Sequence, residues 1–264
     1  MAENQSSLLS AAKFDQNYNS QYSYIAKVGY PMGMMYGFIY EGTYKYEDFD
    51  KAGDTYTLKR NVPYFSSESN TQPGMPKYAD LNGDGIIDDN DRTMIGNGMP
   101  KHTGGFTNNF EYKGFDLSIF FQWSYGNDVL NANRLFFENS NKARDLNQYA
   151  SYADRWTPEN PNSNIPRATD SGSNKVFSTR IIEDGSFLRL KTVSLGYTLP
   201  KQLTKKWKID NARVFVAGQN LWTCTGYSGY DPEVSIREGA LTPGLDFSAY
   251  PRAYSISFGI NLGF

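Results

Sequence analysis

Five carboxylates and two carboxamides fall within twelve consecutive residues, Asp80 to Asp91 (DLNGDGIIDDND). Oxygen donors at positions 1, 3, 5, 7 and 9 with glycine at position 6 are the spacing by which a short loop wraps Ca²⁺. On that pattern Asp80, Asn82 and Asp84 give side-chain oxygens, Ile86 its carbonyl, and Asp88 a side chain or a bridging water; Gly85 makes the turn and Ile87 anchors it. Position 12, the last ligand position, is Asp91, shorter than the bidentate Glu of a regulatory EF-hand, and the sequence shows no flanking helices. The expected chemistry is a structural calcium of modest affinity, on the order of 10⁻⁴ to 10⁻³ M. The ion-free alternative is an acidic turn held by its own Asx side chains. Mutual repulsion among the carboxylates favours the ion.

Few other residues can do chemistry. One Cys and one His cannot build a disulfide, a zinc knuckle or a paired catalytic centre, so the chain is not read as an enzyme. His102 and Cys224 read as structural, and a barrel-borne lipase would need more than the single His102. No carboxylate pair for glycoside hydrolysis stands out among the scattered Asp residues. Lys201, Lys205, Lys206 and Lys208 in PKQLTKKWK read as a short solvated turn or helix. Trp156, Tyr227 and Tyr230 are weak candidates for stacking on a substrate's sugar rings; loop packing or interfacial girdle positions are the plainer reading. With 26 Lys and Arg against 28 Asp and Glu, a net charge of −2, no basic surface for nucleic acid is expected.

The elements that must carry these residues alternate with a period of two. In FDLSIFFQWSY, residues 115–125, Phe115, Leu117, Ile119, Phe121, Trp123 and Tyr125 form one wholly apolar face, backed mostly by polar residues. Upstream, Phe106, Phe110 and Tyr112 share a parity, and Lys113-Gly114 is a two-residue turn, which makes a hairpin. Residues 186–199 and 212–222 read as two further strands, and 252–264 ends the chain with Tyr254, Ile256, Phe258, Ile260, Leu262 and Phe264 against Ser, Gly and Asn. A sixth strand is expected at 33–43. Residues 1–27 are polar and read as a loop or disordered lead, with the barrel-type part spanning 28–264.

The last strand separates two all-β architectures. A soluble sandwich needs Lys, Glu and Thr on its solvent face, whereas here the second face is small and uncharged, as in a membrane barrel with lipid outside and a wet lumen inside. Six strands cannot close a barrel, and open edges in lipid leave unpaired backbone groups costing several kcal/mol each. The expectation is therefore an incomplete barrel, the C-terminal antiparallel strands of a larger one. No apolar run is long enough for a membrane helix, and MAENQSSLLS lacks a signal-peptide layout, so either the chain is cytosolic or Met1 is not the natural start. Short turns at 113–114 and 200–211 fall on the periplasmic side; the long connections 44–102, 126–185 and 223–251 are extracellular, and the C-terminus is periplasmic.

With these motifs placed, the chain resembles the C-terminal part of SusC/RagA-family TonB-dependent outer-membrane transporters of Bacteroidetes. The resemblance rests on VGYPMGMMYGFIYEGTY at 28–44, the run 78–129 that contains the acidic loop, RWTPENPNSNIPRA at 155–168, SFLRLKTVSLGYTLP at 186–200, ARVFVAGQNLWTCTGYSGYDPEV at 212–234 and the terminal YSISFGINLGF. It implies a plugged barrel of the 22-stranded class, import of oligosaccharides or peptides, a SusD-like surface lipoprotein as partner, and energy from the TonB complex through a part not seen in this sequence. The alternative is a secreted β-sandwich binding module or adhesin with a dockerin-like calcium loop.

Overall fold

The computed structural model describes residues 8–13, 22–138, 147–168, 176–235, 239 and 241–264. The chain is mostly β, and no helix among these residues is long and apolar enough to cross a membrane. It divides into two compact units. The first comprises Met1–Met99, Asp128–Glu183 and Ser235–Ala249; the second comprises Pro100–Asn127, Asp184–Val234 and Tyr250–Phe264.

In chain order, the first unit carries β1 (Leu8–Lys13), β2 (Tyr22–Lys27), β3 (Met34–Gly37), β4 (Tyr40–Thr43), β5 (Phe49–Ala52), β6 (Thr55–Leu58), β7 (Tyr64–Phe65), β8 (Pro76–Tyr78), β9 (Ile86–Ile87) and β10 (Thr93–Asn97). The second carries β11 (His102–Tyr112) and β12 (Phe115–Tyr125). The first unit resumes with β13 (Asp128–Asn131), the helix α1 (Asn133–Phe137) and β14 (Ile182–Asp184), which runs to the unit boundary. The second continues with β15 (Phe187–Thr198), α2 (Lys201–Thr204) and β16 (Asn211–Thr225); β17 (Leu245–Asp246) returns to the first, and β18 (Ser255–Gly263) completes the second.

The first unit is assembled from short pieces: a four-stranded sheet in the order β1-β2-β3-β10, a three-stranded β14-β13-β17, and the pairs β4-β8, β5-β6 and β7-β9. Its main core gathers Tyr24, Met35, Leu130, Leu135, Phe177, Ile181 and Leu245. Smaller clusters form around Phe38, Tyr78 and Ile87, and around Tyr44, Phe49 and Leu58.

Two expectations are corrected here. Residues 1–27 are not all loop: β2 is a core strand, because Tyr24, Ile25 and Ala26 are apolar and buried, with the Tyr24 hydroxyl donating to the Pro243 carbonyl at 3.0 Å. The stretch 33–43 is not one membrane strand but β3 and β4, in different sheets. The break falls at Gly37-Phe38, where the chain leaves β10 and exchanges backbone bonds with 177–179: Phe38 N–H to Phe177 O at 2.9 Å and Thr179 N–H to Phe38 O at 3.0 Å. A Cβ on Gly37 would lie 2.4 Å from the Phe177 carbonyl oxygen, so only glycine permits this approach.

The second unit is one antiparallel sheet in the order β11-β12-β15-β16-β18. The β11-β12 hairpin pairs without interruption from Tyr112↔Phe115 to His102↔Tyr125. Its turn residues Lys113 and Gly114 both have positive φ, 48° and 87°, the type I′ signature that matches strand twist. One irregularity crosses the sheet. Lys191 is an extra residue of β15 relative to β12, and on β16 the two residues Asn220 and Leu221 face it, Asn220 with φ 52°. Such bulges shift side-chain parity. Among the described residues β11 and β18 each pair on one side only.

Candidate functional site: a two-faced sheet, its charged latch and an acidic loop

Directly paired residues in a sheet share a face, so the register of the five strands defines two surfaces. One is apolar except for Asn108 opposite Ile119: Phe106, Phe110 and Tyr112 of β11 sit opposite Phe121, Leu117 and Phe115 of β12. The row continues through Leu188, Leu190, Val193, Leu195 and Tyr197 of β15, then Val214, Val216 and Trp222 of β16, to Ile256, Phe258, Ile260 and Leu262 of β18. Phe258 is 82% and Ile260 68% exposed, so among the described residues nothing covers this end of the face. From Phe115 to Tyr125 the strand runs about 34 Å, which at a tilt of about 40° gives a band about 26 Å tall, the height of a membrane barrel's apolar girdle. Aromatic rings mark both limits, Phe115 against Tyr197 at 4.5 Å and His102 stacked on Tyr125 at 5.0 Å. His102 is therefore structural, accepting a hydrogen bond from Trp123 Nε1 at 3.1 Å. Cys224 is exposed and pairs with Leu188 on the apolar side.

The other surface is mostly Ser, Thr, Gly, Asn and Gln, with Phe120 and Phe215 among them and few charges. Most of those charges are paired. Arg213 of β16 reaches over β15 to Asp116 of β12, its Nε and Nη2 donating at 2.8 and 2.5 Å. The residue beneath is Gly196, whose Cβ, if present, would lie 2.3 Å from Arg213 Nη2. A sandwich exposing this sheet to water would need charges across a whole face, and neither face has them.

At the opposite end of β15 the bulge turns Arg189 away from the apolar side. Arg189 is 2% exposed, and its Nη2 donates to Asp231 Oδ1 at 2.5 Å, with Nη1 3.3 Å from Glu233. Asp231 also accepts the backbone N–H groups of Glu233 at 2.9 Å and Arg252 at 3.1 Å, while Glu233 meets Lys191 at 3.6 Å and the Arg252 side chain at 3.0 Å. Burial pushes the Asp231 carboxyl up, but Arg189 and these two N–H donors outweigh it and hold it below the usual carboxylate range. This latch fastens the connection after β16 to β15. Sequence reasoning missed it; the available signal was the pair Arg189 and Lys191 inside a strand with no other charge.

The acidic loop lies in the first unit, next to β9. Asp80 accepts N–H from Gly83 at 2.7 Å and Gly85 at 2.8 Å; Asn82 accepts from Asp84 at 2.8 Å, and Asp84 from Ile86 at 2.8 Å. Asp88 accepts from Asn90 N–H at 2.8 Å. Asp91 is 0% exposed and closes the loop on itself, taking N–H from Leu81 at 2.8 Å, Asn82 at 3.3 Å and Asp88 at 2.9 Å. The turn at Gly85 (φ 85°) is as the spacing predicts, and Ile87 is the buried anchor. Among the described residues no three or more His, Cys, Asp or Glu side chains gather as a metal site. In this conformation backbone amides donate to Asp80, Asp84, Asp88 and Asp91.

The three candidate aromatics are divided between the two units. Trp156 belongs to the first unit, Tyr227 and Tyr230 to the second. Trp156 borders a cavity of about 460 Å³ with Tyr46, Tyr56, Gln72 and Arg167. It is 5% exposed, lies against Gly74, and has the Arg167 guanidinium 5.6 Å from its ring centroid, so no ring face is open for stacking. Tyr227 is buried, folded over Gly229, whereas Tyr230 is 84% exposed and available.

No family model matches the chain. Individual relatives do. It is 36% identical over 245 residues, 91% of its length, to TonB-dependent receptor P3 of Formosa agariphila, and 39% identical over 196 residues to receptor P26 of the same organism. It is also 28% identical over 75% of its length to TonB-dependent receptor SusC of Bacteroides thetaiotaomicron. The solved structure of the RagAB peptide transporter superposes on 92% of the chain with a TM-score of 0.69 at 26% identity. The chain belongs to the SusC/RagA family of TonB-dependent receptors. Proteins of this family are outer-membrane β-barrels, and the relatives found are receptors and transporters, not enzymes. The SusC/RagA-type chain spans about a quarter of the length of those it matches, 23% of receptor P3 and 24% of the RagAB chain.

Proposed function

We propose that this SusC/RagA-type chain contributes five adjacent strands to a closed barrel of the 22-stranded, plugged class, in an importer of oligosaccharides or peptides. The apolar face meets lipid and the Ser, Thr, Gly and Asn face lines the lumen, with the short turns periplasmic and the long connections extracellular. A SusD-like lipoprotein is the surface partner, and TonB delivers energy through parts of the importer outside residues 1–264. The observation that carries this reading is the apolar face that runs across five hydrogen-bonded strands, backed mostly by small polar residues. The one-sided pairing of β11 and β18 supports closure by further strands, since unpaired edges in lipid cost several kcal/mol per group. Purification tests it: recovery as a cooperatively folded monomer without detergent would sink the proposal. Growth of a deletion strain on defined glycans and on peptides as sole nutrient separates the two substrate classes.

We also propose that the acidic loop takes calcium through Asp80, Asn82, Asp84, the Ile86 carbonyl and Asp88, with Asp91 left to its backbone partners. Each Asp80 oxygen accepts one N–H and keeps a lone pair. Calorimetry on the protein decides: the heat of calcium binding should vanish in the Asp80→Ala/Asp84→Ala variant, and heat that is unchanged there removes the ion from the account.

A further inference from the structure

The turn between β15 and β16 has a chemistry that import does not use. Pro200 is followed by α2 and a 3₁₀ turn at Lys205–Trp207, and Lys208 closes it with φ 58°. Thr204 is buried and holds the segment down, while Lys201, Lys205, Lys206 and Lys208 are all exposed. Between them, Trp207 is 65% and Leu203 49% exposed, an outlay of apolar surface that a turn in plain water does not need. Lys113 in the β11-β12 turn lies at the same end of the sheet, where Thr198 N–H donates to Gly114 O at 2.8 Å. The carboxylates of these turns are Glu111 and Asp210, and among the described residues neither is within ion-pair distance of the five lysines. The aromatic limit of the apolar band, Phe115 against Tyr197, adjoins this cationic group.

We propose that this end of the sheet is a binding surface for the phosphate headgroups of anionic glycerophospholipids, with Trp207 and Leu203 entering the interface and Lys201, Lys205, Lys206 and Lys208 meeting the phosphates. Indole rings favour the headgroup level, and lysine stems reach from there to charge. Juxtamembrane lysines attract anionic headgroups by about fivefold in affinity each, so four predict a preference of well over tenfold. The proposal rests on the barrel reading, which makes these short turns periplasmic and their leaflet phospholipid.

The test is fluorescence quenching of the protein in nanodiscs by brominated phosphatidylglycerol against brominated phosphatidylcholine, the Trp207 share being the difference from Trp207→Phe. The expected result is at least a tenfold preference of Trp207 for phosphatidylglycerol, falling to near unity in Lys201→Gln/Lys205→Gln/Lys206→Gln/Lys208→Gln. Lys205→Gln/Lys206→Gln, a milder change, should fall between the two. Equal quenching by both lipids, a preference that survives the four substitutions, or a stronger response to lipid A overturns the proposal. So does a silent Trp207 while Trp123 and Trp222 on the apolar face are quenched. If all three are silent, the barrel reading itself fails.

Discussion

Replacing Arg189 by Met removes the cation from a pair whose side chains are only 2% and 5% exposed. Breaking a buried ion pair from one side costs about 3 to 5 kcal/mol, because the remaining charge is stranded. Here Asp231 keeps two backbone donors, from Glu233 and Arg252, so the lower end, about 3 kcal/mol, is expected. At 1.4 kcal/mol per decade this is a roughly 150-fold rise in local opening. Hydrogen exchange on the detergent-solubilised protein reads it directly, since the two amides that donate to Asp231 are the reporters. The Glu233 and Arg252 amides should exchange on the order of 100-fold faster, while amides in the middle of β15 and β16 keep their protection. Asp231→Asn combined with Arg189→Met should recover part of the loss, because removing both charges leaves none stranded. A change below about fivefold at both reporter amides, or equal loosening along β16, would refute the reasoning.

The same carboxylate sets a pH dependence: its folded pKa is depressed, so its contribution is complete above the unfolded value of about 3.9 and is lost as pH falls through the lower folded value. Protection of the two reporter amides should thus hold from neutral pH to about 4 and decline only below it. Gly196→Ala should lower the thermal midpoint by driving Arg213 off Asp116, and the effect should disappear in an Arg213→Ala background, which a double-mutant comparison checks. Asp91→Ala leaves three backbone N–H groups without their acceptor, so limited proteolysis should cut within residues 80–91 at a loop destabilised by about 1 to 3 kcal/mol, with or without calcium. Trp156→Ala should behave as a packing loss of about 3 to 5 kcal/mol, seen as a lowered melting midpoint, not as a selective loss of substrate affinity.

The sheet was legible because its two faces differ in polarity along the length of each long strand, and alternation is the sequence trace of that. Phe115 to Tyr125 and the Lys113-Gly114 turn fall where the pattern puts them. The first unit was not legible, because its strands are two to six residues long and are buried through long-range contacts that no local period records. Tyr24 shows this: in a polar stretch it becomes core only through Met35, Leu130 and Leu245. At Gly37 the run looked continuous, yet its partner changes from β10 to residues 177–179, which only tertiary structure reveals. In the acidic loop the spacing predicted the turn at Gly85 but assigned Asp91 to an ion, where its oxygens face the backbone amides instead. The Arg189 latch depends on a bulge inside β15 that no turn residue marks, and alternation read without that bulge puts Arg189 on the wrong side.

That extra residue at Lys191 works as a frame shift in space. Across it, even-numbered Leu188 and Leu190 share a face with odd-numbered Val193, Leu195 and Tyr197, while Arg189 stands opposite Gln122 on the other side. Deleting Lys191 would leave Leu190 beside Thr192 in plain alternation, with both leucines and Arg189 on the faces they now hold. Ironing the bulge flat while keeping the residue would do the opposite, swinging Arg189 onto the apolar face and away from Asp231. The latch is therefore set by a count of residues at one position, and not by the loop it fastens.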